Sequence, residues 1–528
     1  MRALAVRGAW LLGGLWALTG CAARSGPRTS EKPVAAVARK APPAKAPATD
    51  AREEPPVSAG ARAFRFPTPT WIELPSGIRV GTVIHRSLPV VEIRVAIPGG
   101  MVADEERAGV AVLTGEMLRE GGAGTLGGRD LLAQMEGLGA RFTVETTFDA
   151  TVLRVSAPRE QLGAVLKLVA EVVLRPRFAP AALDGVKRRA IAEVERLGRE
   201  DGAWAGLTML HRELYLLPME RHPYSSAAFS AEELSRITVA DCRAFYERQI
   251  ASSPLLVVVA GDAGPALVRA AAEAAFASDT RRRRSVTELS LTDPVPPEGT
   301  KITLVDRPGA LESEIFLGFV GPSRGDGEWP AFLLAGQIVG GAGGPWLSQG
   351  GALAGAVLST SSAPLDVARG PTPLVVRVTA KAEKTGAVVQ ALLEQAAQLS
   401  TNVPPPEEVE AAIHSLSSTL VVQLETPSAL ADALVRLRLS GLPDDQHQRS
   451  RRSMQDMTPV FVAKVASAYM APAHGVLVVA GDAARLGVPL SHFGQVKVVN
   501  PTRNFGRERT LLPDTGAPLE PPPGASLP

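Results

Sequence analysis

Cysteine is nearly absent. Only Cys21 and Cys242 occur in 528 residues, so no disulfide framework holds the chain together. Histidine is sparse as well. None of His85, His211, His222, His414, His447, His474 and His492 stands three or four residues from another, which excludes a two-imidazole metal site on one helix face. There is no C-x-x-C, no G-x-S-x-G elbow, no P-loop, and no G-x-G-x-x-G after a strand. A net charge of +2 implies no polybasic surface for nucleic acid. The composition therefore excludes disulfide scaffolds and nucleic-acid binders, and no familiar catalytic motif takes their place.

The chain is long enough for two to four domains, and 45% hydrophobic with 21% charged residues is ordinary for a globular protein. Residues 1–21 carry Arg2 and Arg7, then an apolar run through Trp10, Leu12, Leu15 and Trp16, and end Leu18-Thr19-Gly20-Cys21. A basic start, a short apolar core and small residues before a cut site predict a secretory signal, too short for a membrane span. Cysteine after Leu-x-Gly resembles the bacterial lipoprotein signal, in which the thiol of Cys21 is acylated; a plain signal peptide with an incidental cysteine is the alternative. Ala22 after the cysteine resembles an outer-membrane address. Residues 22–64, rich in Ala, Pro, Lys and Glu, read as a disordered tether with a reach of roughly 35 Å. Residues 499–528, punctuated by Pro513, Pro518 and Pro521-Pro522-Pro523, read as a disordered tail.

The body between them repeats. Leu256-Val257-Val258-Val259-Ala260-Gly261-Asp262 recurs 220 residues later as Val476-Leu477-Val478-Val479-Ala480-Gly481-Asp482. Val91-Glu92-Ile93-Arg94-Val95 lines up with Ser313-Glu314-Ile315-Phe316-Leu317 at an offset of 222. Matching offsets at both ends predict a duplication, with domains at 65–285 and 286–498. Valine-rich strands are predicted at 78–85, 90–97, 141–147, 151–156 and 255–260, with counterparts at 301–305, 314–320, 355–362, 373–379 and 476–480. Helices are predicted at 159–174, 180–197 and 405–424, the second with Leu183, Val186, Ala190, Val194 and Leu197 on one stripe. The fold class is α+β: two homologous domains of about 210 residues, each a mixed sheet packed with helices.

Several stretches then converge in order: Leu74-Pro75-Ser76-Gly77-Ile78-Arg79-Val80, Gly99-Gly100, Gly109-Val110-Ala111, His222-Pro223-Tyr224, and the closing Ala260-Gly261-Asp262. Over about residues 70–490 the chain resembles the insulinase (pitrilysin) family of zinc peptidases, which includes the mitochondrial processing peptidase subunits. Active members carry H-x-x-E-H on the first helix and a third, glutamate ligand downstream. The metal lowers the pKa of its water and the motif glutamate takes the proton. Aligned on Gly109 and Met117-Leu118, the first histidine position is Val112, the glutamate position Gly115 and the second histidine position Glu116, while the downstream ligand falls on Glu193. Valine has no ligand atom and glycine no base. Glu116 and Glu193 offer two carboxylates without an imidazole. The resemblance thus implies a degenerate motif with no metal and no cofactor. The structural reading of Glu116 is a solvated helix residue, and that of Glu193 an ion pair with Arg189.

Active relatives also carry, in the second domain, an arginine and a tyrosine that position substrate. The matching stretch from Gly340 to Val357 has neither, and seven of the sixteen residues 340–355 are glycine. It resembles the glycine-rich loop of the non-catalytic processing subunit. Gly340, Gly341, Gly343 and Gly344 are the candidates for contact with an extended peptide, and a flexible turn is the alternative.

Family members work as chambers of four similar domains, and this chain supplies two. The expectation is a non-catalytic subunit that completes a peptide-binding chamber with a partner chain carrying H-x-x-E-H, held by its N-terminal lipid in the bacterial envelope, at the outer membrane facing the periplasm. Two alternatives stand beside it: a peptide-binding or scaffold lipoprotein that acts alone, and an unconventional peptidase using Glu116 and Glu193.

Overall fold

The computed structural model describes residues 65–519 apart from 105–106, 217–221, 226–228, 252, 280–290, 298, 342–352 and 354. Cys21, Gly343 and Gly344, and the signal and tether segments, lie outside the described residues.

The first half forms a six-stranded sheet: β1 (Thr70–Glu73), β2 (Arg79–Ile84), β3 (Val90–Pro98), β4 (Arg141–Thr146), β5 (Ala150–Pro158) and β6 (Leu256–Gly261), in the order β1-β2-β6-β3-β5-β4. The second half forms a seven-stranded sheet: β7 (Lys301–Asp306), β8 (Glu312–Ser323), β9 (Val357–Pro364), β10 (Pro371–Lys381), β11 (Gly475–Gly481), β12 (Val496–Asn500) and β13 (Gly506–Leu511), in the order β13-β12-β7-β11-β8-β10-β9. The two orders superpose from β2 to β4 and from β7 to β9. In each half the strand that closes the domain runs parallel to the opening strand and antiparallel to the next. Ile93 pairs with Val155 and Val259, as Ile315 pairs with Val378 and Val479. The repeat read from sequence is a repeat of sheet register.

Alternation along β3 explains how the halves join. Val91, Ile93, Val95 and Ile97 enter the core of their own half, while Arg94 and Ala96 face the other way. Six helices fix the rest of the site: α1 (Val110–Glu120), α2 (Pro180–Glu200), α3 (Gly202–Leu214), α4 (Trp329–Gly340), α5 (Pro406–Gln423) and α6 (Pro427–Leu439). The helix α3 belongs to the first half but packs across β8 and β11 of the second. The helix α6 belongs to the second half but packs across β3 and β6 of the first. Each half covers the other's sheet, so β6 and β11 are buried along their whole length. A strand covered on both faces needs apolar residues at every position, which is why the repeated segments read as continuous valine runs.

Both exchanged helices are capped by side chains. Asp201 accepts the Trp204 N–H at 2.9 Å and Thr426 accepts the Ala429 N–H at 3.2 Å. Asp432 of α6 binds Arg94 of β3 at 2.6 Å and also pairs with Arg154 of β5, which in turn holds Glu145 of β4 at 2.6 Å. Burial opposes the Asp432 charge, but Arg94 and Arg154 outweigh it and hold the carboxyl below its ordinary range. The second half answers Arg94 with Phe316, packed so closely on Gly206 of α3 that a Cβ there would stand 2.3 Å from the ring.

The tail expected from residue 499 is corrected. The second sheet continues through β12 and β13, with Val496, Val498 and Leu511 in the core. Between those strands Phe505 is buried, 5.9 Å from the Trp204 ring and under the Arg212 guanidinium. Prolines dominate only after Leu512, and reading them back to 499 hid the strands.

Candidate functional site

The helix α1 starts at Gly109, which takes a left-handed conformation (φ 90°). Asp104, itself buried, closes the helix start by accepting the N–H of Gly109 at 2.7 Å and of Ala111 at 2.8 Å. This sets the helix across the edge of the first sheet, and Val112, Gly115 and Glu116 lie on it at the family's motif spacing.

Gly115 is buried against β4. A Cβ there would stand 2.5 Å from Thr146 Oγ1 and 3.4 Å from Val144 Cγ1. The position that the sequence aligned with the motif glutamate is therefore a helix-to-sheet contact with no space for a side chain. The second half does the same. Gly336 of α4, 221 residues on, would place a Cβ 2.1 Å from Leu374 and 2.8 Å from Ser362 Oγ. Gly115 thus adopts the close packing of its counterpart in the second half.

Glu116 is half-buried rather than solvated, which corrects the expectation from sequence. It pairs with Arg119 at 3.4 Å, and burial pushes its carboxyl above the ordinary value against the pull of that arginine. Arg119 also holds Glu120 at 2.9 Å, and Glu120 pairs with Arg189 of α2. Glu193 does not pair with Arg189, as the sequence suggested. It holds Arg196 one turn on, at 2.7 and 2.9 Å. Arg189 sits on the side of α2 that faces α1, while Glu193 has a nearer partner at i+3. Both carboxylates, Glu116 and Glu193, are tied to arginines. With valine and glycine in the other positions, the donor set does not fit a zinc ion, which takes imidazole or thiolate ligands here in preference to lone ion-paired carboxylates. Among the described residues no three His, Cys, Asp or Glu side chains form a group that could hold a metal.

The glycine-rich stretch is described at its start, Gly340 and Gly341, and at its end, Leu353 and residues 355–357. Gly340 closes α4, and a Cβ there would stand 2.2 Å from Val376 Cγ1 while Thr360 Oγ1 donates to its carbonyl at 2.7 Å. A Cβ on Gly341 would meet the Gln337 side chain at 2.2 Å. Gly340 thus packs the end of α4 against β10, and Gly341 packs against Gln337 of its own helix.

Sequence reasoning missed a second polar cluster where the halves meet. Tyr224 of the His222-Pro223-Tyr224 stretch donates to Asp149 at 2.7 Å, and Asp149 also accepts the Ala368 N–H of the second half at 2.8 Å. His222, Tyr215, His211 and Phe148 stack around it. His211 is fully buried, and burial lowers its pKa to about 3, so it is neutral. The aromatic and histidine content of this region was visible in the sequence, but its partner lay more than 140 residues away.

Comparison with known proteins agrees with this geometry. Residues 82–222 match the family described as Insulinase (Peptidase family M16), and residues 236–416 the family described as Peptidase M16 inactive domain. No curated protein matches the sequence. Among solved structures, a peptidase M16 inactive domain from Pseudomonas fluorescens is similar in fold, with a TM-score of 0.67 at 23% identity, covering 78% of this chain and 98% of that one. A protease from Helicobacter pylori gives a TM-score of 0.67 at 17% identity, covering 79% of this chain and 100% of that one. The first half of the periplasmic protease PqqL from Escherichia coli gives 0.63 at 18%, covering 78% of this chain and 92% of that one.

Proposed function

We propose, on the premise that this chain belongs to the insulinase family of peptidases (family M16), that it is a non-catalytic subunit: it completes a peptide-binding chamber with a second family member that carries an intact H-x-x-E-H. The observation that carries this reading is Gly115. The base position is a helix-to-sheet contact, and the carboxylates of Glu116 and Glu193 are paired with arginines, so the loss of chemistry is built into the packing. What remains is a pair of sheets locked together by exchanged helices, which suits a wall of a chamber. The Escherichia coli relative supports the reading from a different side: PqqL is a periplasmic protease, and this chain covers 92% of its first half and 45% of the whole. A signal segment ending in Cys21 is consistent with a lipid-anchored protein of the envelope.

The test is reconstitution. The full chain is co-expressed with a two-domain family member carrying H-x-x-E-H, and cleavage of an unstructured peptide is followed. Cleavage should depend on both chains and survive no chelator. Equal cleavage by the partner alone would sink the chamber reading, and cleavage by this chain alone would sink the non-catalytic one.

A further inference from the structure

Among the described residues of the first half, four large apolar side chains are exposed: Ile84, Leu88, Leu216 and Leu267. Three of them gather at one end of the sheet. β2 ends at Ile84, 44% exposed, and the turn into β3 carries Leu88, 64% exposed. β6 closes beside them. Ile84 pairs with Gly261, the His85 N–H donates to the Gly261 carbonyl at 2.8 Å, and the Asp262 N–H donates to the Val90 carbonyl at 3.0 Å. The chain then enters the helix Pro265–Ala275, whose first turn carries Leu267, 43% exposed. Asp262 binds these segments together: Arg86 of the turn stands 3.7 Å from it and Arg159, just past β5, 3.0 Å. The Arg86 side chain is itself 71% exposed. Single apolar side chains are ordinary on a surface, but a group of them beside a solvated guanidinium is the make-up of a docking tip.

The occupant is indicated by what joins the body near this end. Thr70 of β1 stands opposite Thr82, two residues before Ile84. Arg65, where the segment 22–64 joins the body, is five residues before Thr70, a span of at most about 18 Å. That segment follows Cys21, read as the site of acylation. With a reach of roughly 35 Å, it lets this end of the sheet touch the surface in which the lipid sits. The second half offers a comparison. Leu311, in the turn between β7 and β8, is 73% exposed, but the segment that follows Cys21 joins the other half.

We propose that this end of the first sheet docks on a phospholipid surface. Ile84, Leu88 and Leu267 enter the layer between headgroups and acyl chains, and Arg86 stays among the phosphates. The proposal rests on the reading of Cys21 as a lipid anchor: the anchor keeps the body near the membrane, and the tip fixes which end of the body faces it.

The experiment uses the full chain, made with its own signal and placed in vesicles of phosphatidylethanolamine and phosphatidylglycerol. The mass of the peptide that begins at Cys21 reports acylation, and so tests the anchor by itself. A fluorophore on Ser87→Cys reports docking through quenching by lipids with nitroxide headgroups; Cys242 is buried and takes no label. A fluorophore on Glu312→Cys, at the start of β8, is the control. Quenching should be strong at 87 and weak at 312. Leu88→Asp and Leu267→Asp should each lower the docked-to-free ratio about tenfold, while Leu311→Asp leaves it unchanged. Quenching at 87 no greater than at 312, no response to the two aspartates, or an equal loss with Leu311→Asp overturns the docking. If Cys21 proves unacylated, the same labels are read on the Cys21→Ser chain with vesicles added in excess. Quenching at 87 that the two aspartates abolish then upholds the tip without the anchor, and no quenching at 87 overturns it.

Discussion

Gly115 of α1 and Thr146 of β4 approach so closely that a Cβ on the glycine would stand 2.5 Å from the threonine Oγ1. Thr146 Oγ1 is in turn 3.5 Å from the Ala111 carbonyl, so the hydroxyl sits between helix and strand. Glycine in a helix interior costs about 1 kcal/mol relative to alanine. Here the contact with the strand explains why it is kept.

Restoring the family motif should therefore fail. Gly115→Ala should destabilise by about 1–3 kcal/mol through overpacking, despite its better helix propensity. Thr146 is branched at Cβ and has few ways to yield. Adding Thr146→Ala should recover most of the loss, which denaturant unfolding of the two single variants and the double variant would read as a positive coupling. The variant Val112→His, Gly115→Glu, Glu116→His should unfold at lower denaturant still, and bind zinc below one equivalent by metal analysis after dialysis. Stoichiometric zinc in a folded variant would show that the helix is free to lift from the sheet.

At the other face of the first sheet, Asp432 answers two arginines. Asp432→Ala leaves Arg94, whose side chain is only 3% exposed, without its main partner across the interface. Removing one member of such a buried group costs about 3–5 kcal/mol. The pH dependence has a definite sign. A carboxyl depressed in the fold contributes stability that is present above its unfolded value near 3.8 and lost as pH falls through its lower folded value. Asp432→Asn should flatten the stability loss in that acid range and be less stable than wild type at neutral pH.

Phe505 is the anchor of the C-terminal strands on the first half. Two consecutive non-glycine residues, Asn504 (φ 51°) and Phe505 (φ 58°), hold left-handed conformations to deliver that ring. Phe505→Ala should cost about 3–5 kcal/mol, the range for a buried phenylalanine. Deleting residues 499–528 should cost more, since β13 and half of the support of β12 go with it. Limited proteolysis should then cut near the exposed end of β12 before any other site in the body.

The repeat and the strands that carry it were legible because each depends on residues close in sequence or on a constant offset within the chain. The valine runs at 256–261 and 476–481 announced strands buried on both faces. What covers them did not, because α3 and α6 reach across to the opposite half. Arg94 gave a signal in hindsight: a charge in the middle of an apolar strand needs a buried partner, and Asp432, alone in the apolar run of α6, needs the same. Pairing them requires knowing that the helices are exchanged. The one ion pair read from sequence near the motif positions was mis-assigned for a related reason. Spacing of four made Arg189 a partner for Glu193, whereas the arrangement of α1 beside α2 gives Arg189 to Glu120.

His211 supplies the last prediction. It is fully buried, stacked 4.9 Å from the Phe148 ring, and neutral because burial lowers its pKa to about 3. Unfolding exposes it to an ordinary value near 6.5. A histidine whose folded value is depressed gains no proton in the fold as pH falls, while the unfolded chain does, so its contribution to stability is complete above about pH 6.5 and declines below it. The slope is about 1.4 kcal/mol per pH unit until the folded value is approached. His211→Phe cannot titrate and keeps an aromatic ring against Phe148 and Tyr215. Urea unfolding across about pH 4–7.5 should therefore give a shallower acid slope for His211→Phe by one proton, even where the substitution lowers stability overall. Equal slopes for the two proteins would mean that His211 takes up a proton in the folded interface, and that the junction between the halves opens to water well before the chain unfolds.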